Sequence, residues 1–207
     1  MTIRQKLRLA IGLIVIALIV VYTTASYLAE RHLLLQALDQ NLFHAVQHAR
    51  GGVPADYHDH IVNRESVSPE EFTRIVDANN KLCIDLGLQY LWSCLKVGDQ
   101  IVFTTATSPS KDVRKRDHAA FFDVHKDPHA FDVVFKTMKP DFSSFQNEWG
   151  HGRMVLVPGK DRLGREYCFG ASVSFNEVQA ELRKTLLHSL YLGMGFLLVG
   201  MLVSLRV

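Results

Sequence analysis

The sequence predicts an α+β domain held between two transmembrane helices. Two long apolar runs stand near the ends of the 207-residue chain: Leu9 to Tyr22 carries no charged residue, and Thr185 to Leu205 contains no Asp, Glu, Lys or Arg. Between them, helical periodicities alternate with short strand-like segments bounded by turn residues. One folded domain with two membrane appendages fits this length.

The apolar runs are interpreted as spans over 9–28 and 187–205. Each holds about 20 residues, enough for a helix rising 1.5 Å per residue to cross a hydrocarbon core roughly 30 Å thick. A cleaved signal peptide is the alternative for the first run, because Arg4, Lys6 and Arg8 form a positive segment ahead of it. The transmembrane interpretation is preferred, since helix-compatible sequence continues unbroken past the run.

Positive charge predicts the orientation of the two spans. Arg4, Lys6 and Arg8 precede the first and Arg206 follows the second, and positive residues near span ends stay cytoplasmic. We therefore expect a two-pass protein of the inner membrane, in contact with lipid, with its domain in the periplasm or outside the cell. A net charge of +2 is too small to indicate nucleic-acid binding. The predicted segments are 1–8 (cytoplasmic), 9–28 (span), 29–186 (domain), 187–205 (span) and 206–207 (cytoplasmic start).

The first span is expected to continue as a helix, because apolar residues recur with a period near 3.6 up to Gly51-Gly52. A polar loop over 53–67 follows. Ser68 then caps a second helix, with Pro69 at its first position and Glu71 completing a capping box, and Gly87 ends it.

Two hairpins and a short helix complete the predicted domain. The strands are 88–96 with 100–107, joined by Gly98-Asp99, and 152–158 with 165–175, joined by a turn-rich loop. A short helix opens at Asp127-Pro128 and stops before Pro140. Ser174 to Glu177 forms a further capping box, which starts the exit helix. The fold class is therefore α+β, an antiparallel sheet flanked by helices.

Three cysteines, Cys83, Cys94 and Cys168, fall in the outer domain. An oxidising compartment permits one disulfide and an odd thiol. Three buried thiols that behave as small hydrophobic side chains are the preferred interpretation.

The segment from Phe145 to Gly164, followed by Phe169 to Val173, resembles extracytoplasmic PAS-like sensor domains of the Cache (PDC) type. It contains an acidic-aromatic-Gly stretch, a strand ending in Val157-Pro158, an Asp-x-x-Gly turn and a closing small-residue strand. Gly159 and Lys160 depart from the apolar residue usual there, and the amino-acid-binding signature of some relatives is not clearly present. The resemblance therefore implies no ligand class.

The resemblance implies a receptor input module with a small-molecule pocket against the sheet, placed ahead of a histidine kinase, diguanylate cyclase or chemoreceptor output. A fragment of a longer receptor is preferred to a stand-alone sensor that acts through a partner protein. Relatives dimerise through the long first helix, so a homodimer is expected, with its seam at Leu34, Leu38, Leu42 and Ala45. Packing of this stripe onto the chain's own domain is the alternative.

Five residues are predicted to bind the ligand. Tyr90 and Trp92, two apart on a strand, share one face. Arg153 is expected beside them, pairing with an anionic group of the ligand, while Glu148 holds a ligand amine or Arg153 itself, and Trp149 adds a wall. The alternative is that the aromatic residues belong to the core and Arg153 to the surface.

The ten histidines favour an alternative function, metal-ion or pH sensing. His44 and His48 share a helix face, and His58 and His60 flank Asp59. No metal site, cofactor or catalytic residue is assigned, because no haem-attachment, nucleophile-elbow, phosphate-loop or His-Glu-x-x-His motif occurs. The chain is therefore not expected to be an enzyme.

Overall fold

The computed structural model describes residues 2–107, 118–147 and 150–206. The chain divides into two compact units. One comprises the N-terminal residues up to Ala37 and the C-terminal residues from Glu177, and the other is Leu38–Asn176.

The first unit contains most of helix α1 (Ile3–Gly51) and of helix α4 (Phe175–Arg206). Within the described residues, α1 is the helix long and apolar enough to cross a membrane, and a signal sequence near the N-terminus meets the same criteria of length and composition. The second span stays a prediction. The two helices approach closely at Gly193, where a Cβ atom would lie 2.9 Å from Ile19 Cγ2.

The second unit is built on a five-stranded antiparallel sheet. Its strands are β1 (Tyr90–Val97), β2 (Gln100–Thr105), β3 (Asp141–Asn147), β4 (Gly150–Lys160) and β5 (Glu166–Ser174), in the order β2-β1-β5-β4-β3. The predicted α+β class, the long first helix and the two hairpins are confirmed. The sequence had assigned four strands, and β3 had been missed because its mostly polar residues form a sheet edge without apolar alternation.

Local chemistry explains helix α2 (Pro69–Leu86). Ser68 Oγ accepts a hydrogen bond from Glu71 N at 3.1 Å, as the predicted N-cap requires. Gly87 ends the helix in the left-handed region at φ 65°, where a residue without Cβ is favoured. Asp127, by contrast, makes no side-chain cap hydrogen bond, and the segment after it is a 3-10 helix (Pro128–Phe131) that leads into α3 (Asp132–Thr137).

The two faces of the sheet pack differently. One face forms an apolar cluster with the 3-10 helix and α3, which contains Cys94, Ile101, Phe131, Val134, Phe135, Leu156 and Cys168. The opposite face carries Tyr167 and Phe169, whose rings contact His58 from a second 3-10 helix (Tyr57–His60). All three cysteines are buried free thiols, as the preferred interpretation expected.

The end of α1 belongs to the core of the second unit. Leu42 and Ala45 are 1% and 0% exposed within the single chain. These two side chains are therefore not free to form the predicted dimer seam, and the alternative, packing onto the chain's own domain, holds for them. A homodimer stays a prediction.

Candidate functional site

A cavity of about 120 Å³ lies on the apolar-cluster face of the sheet. Its floor comes from three neighbouring strands: Tyr90 and Trp92 of β1, Ser172 of β5, and Met154 of β4. The register explains this grouping, because Tyr90 pairs with Ser172, and Met154 pairs with Ser172 from the other side. Residues opposite one another on antiparallel strands point to the same face.

A glycine makes room for the indole ring. Gly170 pairs with Trp92, and a Cβ atom at Gly170 would lie 2.4 Å from the indole carbons and 2.9 Å from Nε1. The ring of Trp92 therefore lies against the backbone of β5, which only a residue without a side chain permits. Any larger residue at position 170 would force the indole to move.

The wall opposite the sheet is also aromatic. His125 N donates to Ile101 O at 2.7 Å, which ties this segment to β2. The His125 ring lies 5.0 Å from Phe103 and 4.9 Å from Phe131, centroid to centroid. Seven aromatic side chains line the cavity in all, because Tyr90, Trp92, Phe145 and His118 join these three. A mostly apolar wall with a few polar groups is typical of small-molecule sites.

Burial lowers the pKa of the His125 imidazole and so favours its neutral form. Its Nδ1 accepts a hydrogen bond from Asp127 N at 3.1 Å. The proton of the neutral ring therefore resides on Nε2. Asp127 itself is exposed and lines the cavity as its acidic member.

Two polar atoms of the cavity are buried and have no hydrogen-bond partner among the described residues: Trp92 Nε1 and Ser172 Oγ. Ser172 is 1% exposed. Leaving such a group unsatisfied costs about 1–3 kcal/mol. Both residues line the cavity, so a molecule bound there is one source of the missing partners.

The structure places the five predicted ligand residues in different surroundings. Tyr90 and Trp92 line the cavity together. Arg153 does not: its Nε and Nη2 donate to Asp39 Oδ1 and Oδ2 at 2.8 and 2.7 Å. Glu148 and Trp149 lie outside the described residues. Ligand contact by any of the five stays a prediction.

Register accounts for the position of Arg153. It pairs with Val173, whereas its neighbour Met154 pairs with Ser172, and side chains alternate between faces along a strand. Strand spacing alone could not show which of the two neighbours shares a face with Trp92. The small residues Gly170 and Ser172, opposite an aromatic strand, were the sequence signal for the floor of the cavity.

Sequence reasoning also missed Phe103, His125 and Phe131 as cavity residues. Phe131 comes from the short helix predicted after Asp127, and His125 from the stretch just before it, to which the sequence assigned no element. Their shared position depends on the backbone hydrogen bonds that tie this segment to β2, and no local pattern encodes those bonds.

The other histidines are distributed over separate surroundings. His58 is buried, stacks on Tyr167 at 4.2 Å and lies 3.1 Å from Thr104 Oγ1. His44 and His48 border a shallow open groove at the end of α1. Across 2–107, 118–147 and 150–206, no three His, Cys, Asp or Glu side chains converge in a way that would hold a metal ion.

No known family's sequence profile matches this chain. No curated protein matches it significantly either.

The solved structures that align with the chain include three with TM-scores below 0.5. The ligand-binding domain of the Campylobacter jejuni chemoreceptor Tlp3 in complex with L-norvaline is 7% identical, with a TM-score of 0.48, over 82% of this chain and 63% of that one. The sensory domain of Tlp3 (CcmL) is 10% identical, with a TM-score of 0.38, over 76% and 66%. The A. aeolicus nlh2 GAF domain in an inactive state is 12% identical, with a TM-score of 0.34, over 78% and 98%.

The chain thus spans less than two thirds of the Tlp3–norvaline structure. The two Tlp3 structures are a ligand-binding domain and a sensory domain by description. At these scores the similarity does not assign a ligand or an activity to this chain, so the functional argument depends on the cavity itself.

Proposed function

We propose that this chain is the input module of a membrane receptor, in which the cavity binds a small molecule outside the cytoplasm. The observation that carries the proposal is the aromatic cavity with two unpartnered buried polar atoms, Trp92 Nε1 and Ser172 Oγ. Folded domains rarely retain such atoms without a water molecule or ligand to satisfy them. Tyr90 and Trp92 form the aromatic floor against which the ligand packs.

The proposed topology has two spans, 9–28 and 187–205, with the domain between them facing outward. The apolar composition of both runs and the positive residues at their cytoplasmic ends support it. The close approach at Gly193 also fits helices that pack in lipid, where small residues bring backbones together.

In the proposed mechanism, the signal passes from the cavity to α4 along one continuous stretch of polypeptide. Strand β5 ends at Ser174 and α4 begins at the next residue, so Ser172 lies three residues before the helix. On the opposite face of the sheet, Arg153 of β4 binds Asp39 of α1. A ligand that binds one arrangement of β5 better than another shifts the populations of both, and α4 follows. The output is proposed to be a histidine kinase or a related signalling domain.

The proposal is tested by measuring the unfolding temperature of the full chain in lipid nanodiscs. The panel of ligands contains organic molecules of one ring, amino acids, organic acids and divalent metals. A ligand specific for the folded state adds about 2.7 kcal/mol of stability at one hundred times its dissociation constant. Ala130→Leu adds the three further carbons of a leucine side chain to the cavity lining and is expected to abolish the shift.

Ala55→Leu makes the same change at an exposed site and is expected to preserve the shift. A shift that survives Ala130→Leu contradicts the cavity as the site. A shift with metals only, lost in His44→Ala, would favour the metal-sensing alternative instead.

A further inference from the structure

Building on the proposed function, we infer that the ligand carries an uncharged hydrogen-bond acceptor, such as a ketone, ester or amide oxygen, that binds between Trp92 Nε1 and Ser172 Oγ. An indole N–H can only donate a hydrogen bond, so its missing partner is an acceptor. A hydroxyl group can donate to the same acceptor or to a second oxygen of the same group. The two atoms therefore specify one type of functional group.

The backbone brings the two atoms to neighbouring positions. Nε1 lies 2.9 Å from the place of a Cβ atom on Gly170. Ser172 is two residues further along β5, on the same face, at a distance of about 7 Å along the strand. One small polar group between these positions would serve both atoms, whereas an apolar ligand would leave both unsatisfied.

Charge in the cavity disfavours an anion. The described lining residues include no lysine or arginine, and Arg153 is held by Asp39 outside the lining. Besides the phenol of Tyr90, the ionisable members are His118, His125 and Asp127, and Asp127 is the carboxylic acid among them. Burying an ionised carboxylate without a counter-charge costs many kcal/mol, while a neutral carbonyl needs only its hydrogen bonds.

The volume limits the ligand to about one ring. An apolar cavity of roughly 150 Å³ holds benzene, and this cavity measures about 120 Å³. Cyclohexanone and methylenecyclohexane are matched probes of this size, since they differ only by the replacement of C=O with C=CH2. Cyclohexanecarboxylate serves as the anionic probe.

The test uses the full chain in nanodiscs with ¹⁵N-labelled tryptophan indoles. The Trp92 resonance is identified by its loss in Trp92→Phe. Cyclohexanone is expected to shift this resonance and to bind about tenfold more tightly than methylenecyclohexane, since it gains two hydrogen bonds and each contributes a net of roughly 0.5–1.5 kcal/mol. Ser172→Ala is expected to reduce that preference about threefold, whereas Ser144→Ala, at an exposed position of β3, leaves it unchanged.

The outcomes separate this inference from the proposed function. Equal binding of the two matched probes, still abolished by Ala130→Leu, would overturn the acceptor inference and leave the cavity as a ligand site. Tighter binding of cyclohexanecarboxylate than of cyclohexanone would overturn it as well. Binding of no probe at all would contradict the cavity itself, and the inference with it.

Discussion

Arg153 and Asp39 form a two-fold hydrogen-bonded ion pair that joins strand β4 to helix α1. The guanidinium Nε and Nη2 donate to the two carboxylate oxygens at 2.8 and 2.7 Å, and both side chains are about one fifth exposed. Asp39 holds the pKa of Arg153 above its ordinary value. Fork-shaped pairing of this kind fixes orientation as well as distance. The pair therefore sets how the end of α1 meets the sheet.

Removal of one partner is expected to destabilise the domain without removing the ligand site. Asp39→Asn should lower the free energy of unfolding by about 1–3 kcal/mol, because the guanidinium loses its charged acceptor. Arg153→Lys should be nearly as costly, since an ammonium group cannot bond both oxygens in this geometry. Urea unfolding of the full chain measures both values.

A binding measurement separates this role from ligand recognition. Both variants should retain the affinity of wild type for a cavity ligand. If Arg153→Lys loses binding and Asp39→Asn does not, Arg153 contacts the ligand, as the sequence interpretation predicted.

His58 is expected to make the domain less stable in mild acid. Burial lowers its pKa to about 4 in the folded state, against an ordinary value near 6.5. Between those values the unfolded chain binds a proton that the folded chain does not, so stability falls as pH drops from about 6.5 to 4. The loss is on the order of 3 kcal/mol, and His125, whose pKa burial also lowers, contributes in the same direction.

The check is the pH dependence of unfolding in His58→Asn. This variant should be less stable at pH 7 but should lose less stability on acidification than wild type. His60→Asn is the control, since His60 is mostly exposed and only two residues away. If His58→Asn and wild type lose the same stability between pH 6.5 and 4, the buried neutral imidazole is not the cause.

The contact between α1 and α4 predicts a specific cross-link. Cysteines at Ile19 and Gly193 should form an intramolecular disulfide on oxidation in membrane vesicles, because a Cβ atom at Gly193 lies 2.9 Å from the Ile19 side chain. The pair Ile19→Cys with Gly195→Cys should cross-link far less, since a Cβ atom at Gly195 meets nothing within 4 Å. Equal yields from the two pairs would contradict the close approach at Gly193.

The proposed topology predicts which engineered thiols a membrane-impermeant maleimide reaches in intact cells. Leu163→Cys, in an exposed loop of the domain, should react at once. Gln5→Cys, in the segment predicted to be cytoplasmic, should react only after permeabilisation. The native thiols give little background, since all three are buried and burial raises the pKa of Cys83 to about 12. Labelling of Gln5→Cys before permeabilisation would contradict the proposed cytoplasmic position of the N-terminus.

The parts of the fold that local chemistry encodes could be predicted from the sequence. Ser68 and Gly87 mark the ends of α2 by capping, and Gly98 marks the β1–β2 turn by its positive φ of 60°. Strand β3 could not be predicted, since an exposed polar edge has no apolar period.

The sequence predicted members of the candidate site only where the spacing of residues within one strand is enough to place them on the same face. Tyr90 and Trp92 share a face because they are two residues apart, and the structure brings both to the cavity. Arg153 and Ser172 depend on strand register, and a shift of one residue moves a side chain to the opposite face. His125 depends on a backbone pairing between distant segments, which leaves no periodic signal.

Hydrogen–deuterium exchange of the full chain, with and without the best ligand from the panel, shows whether the ligand binds in the cavity. We expect slower exchange around Trp92, from His125 to Phe131, and from Gly170 to Ser172, the segments that line the cavity. Ala130→Leu should remove this protection and Ala55→Leu should not. Protection confined to the groove at His44 and His48, or no change in the three cavity segments, would contradict the cavity as the ligand site.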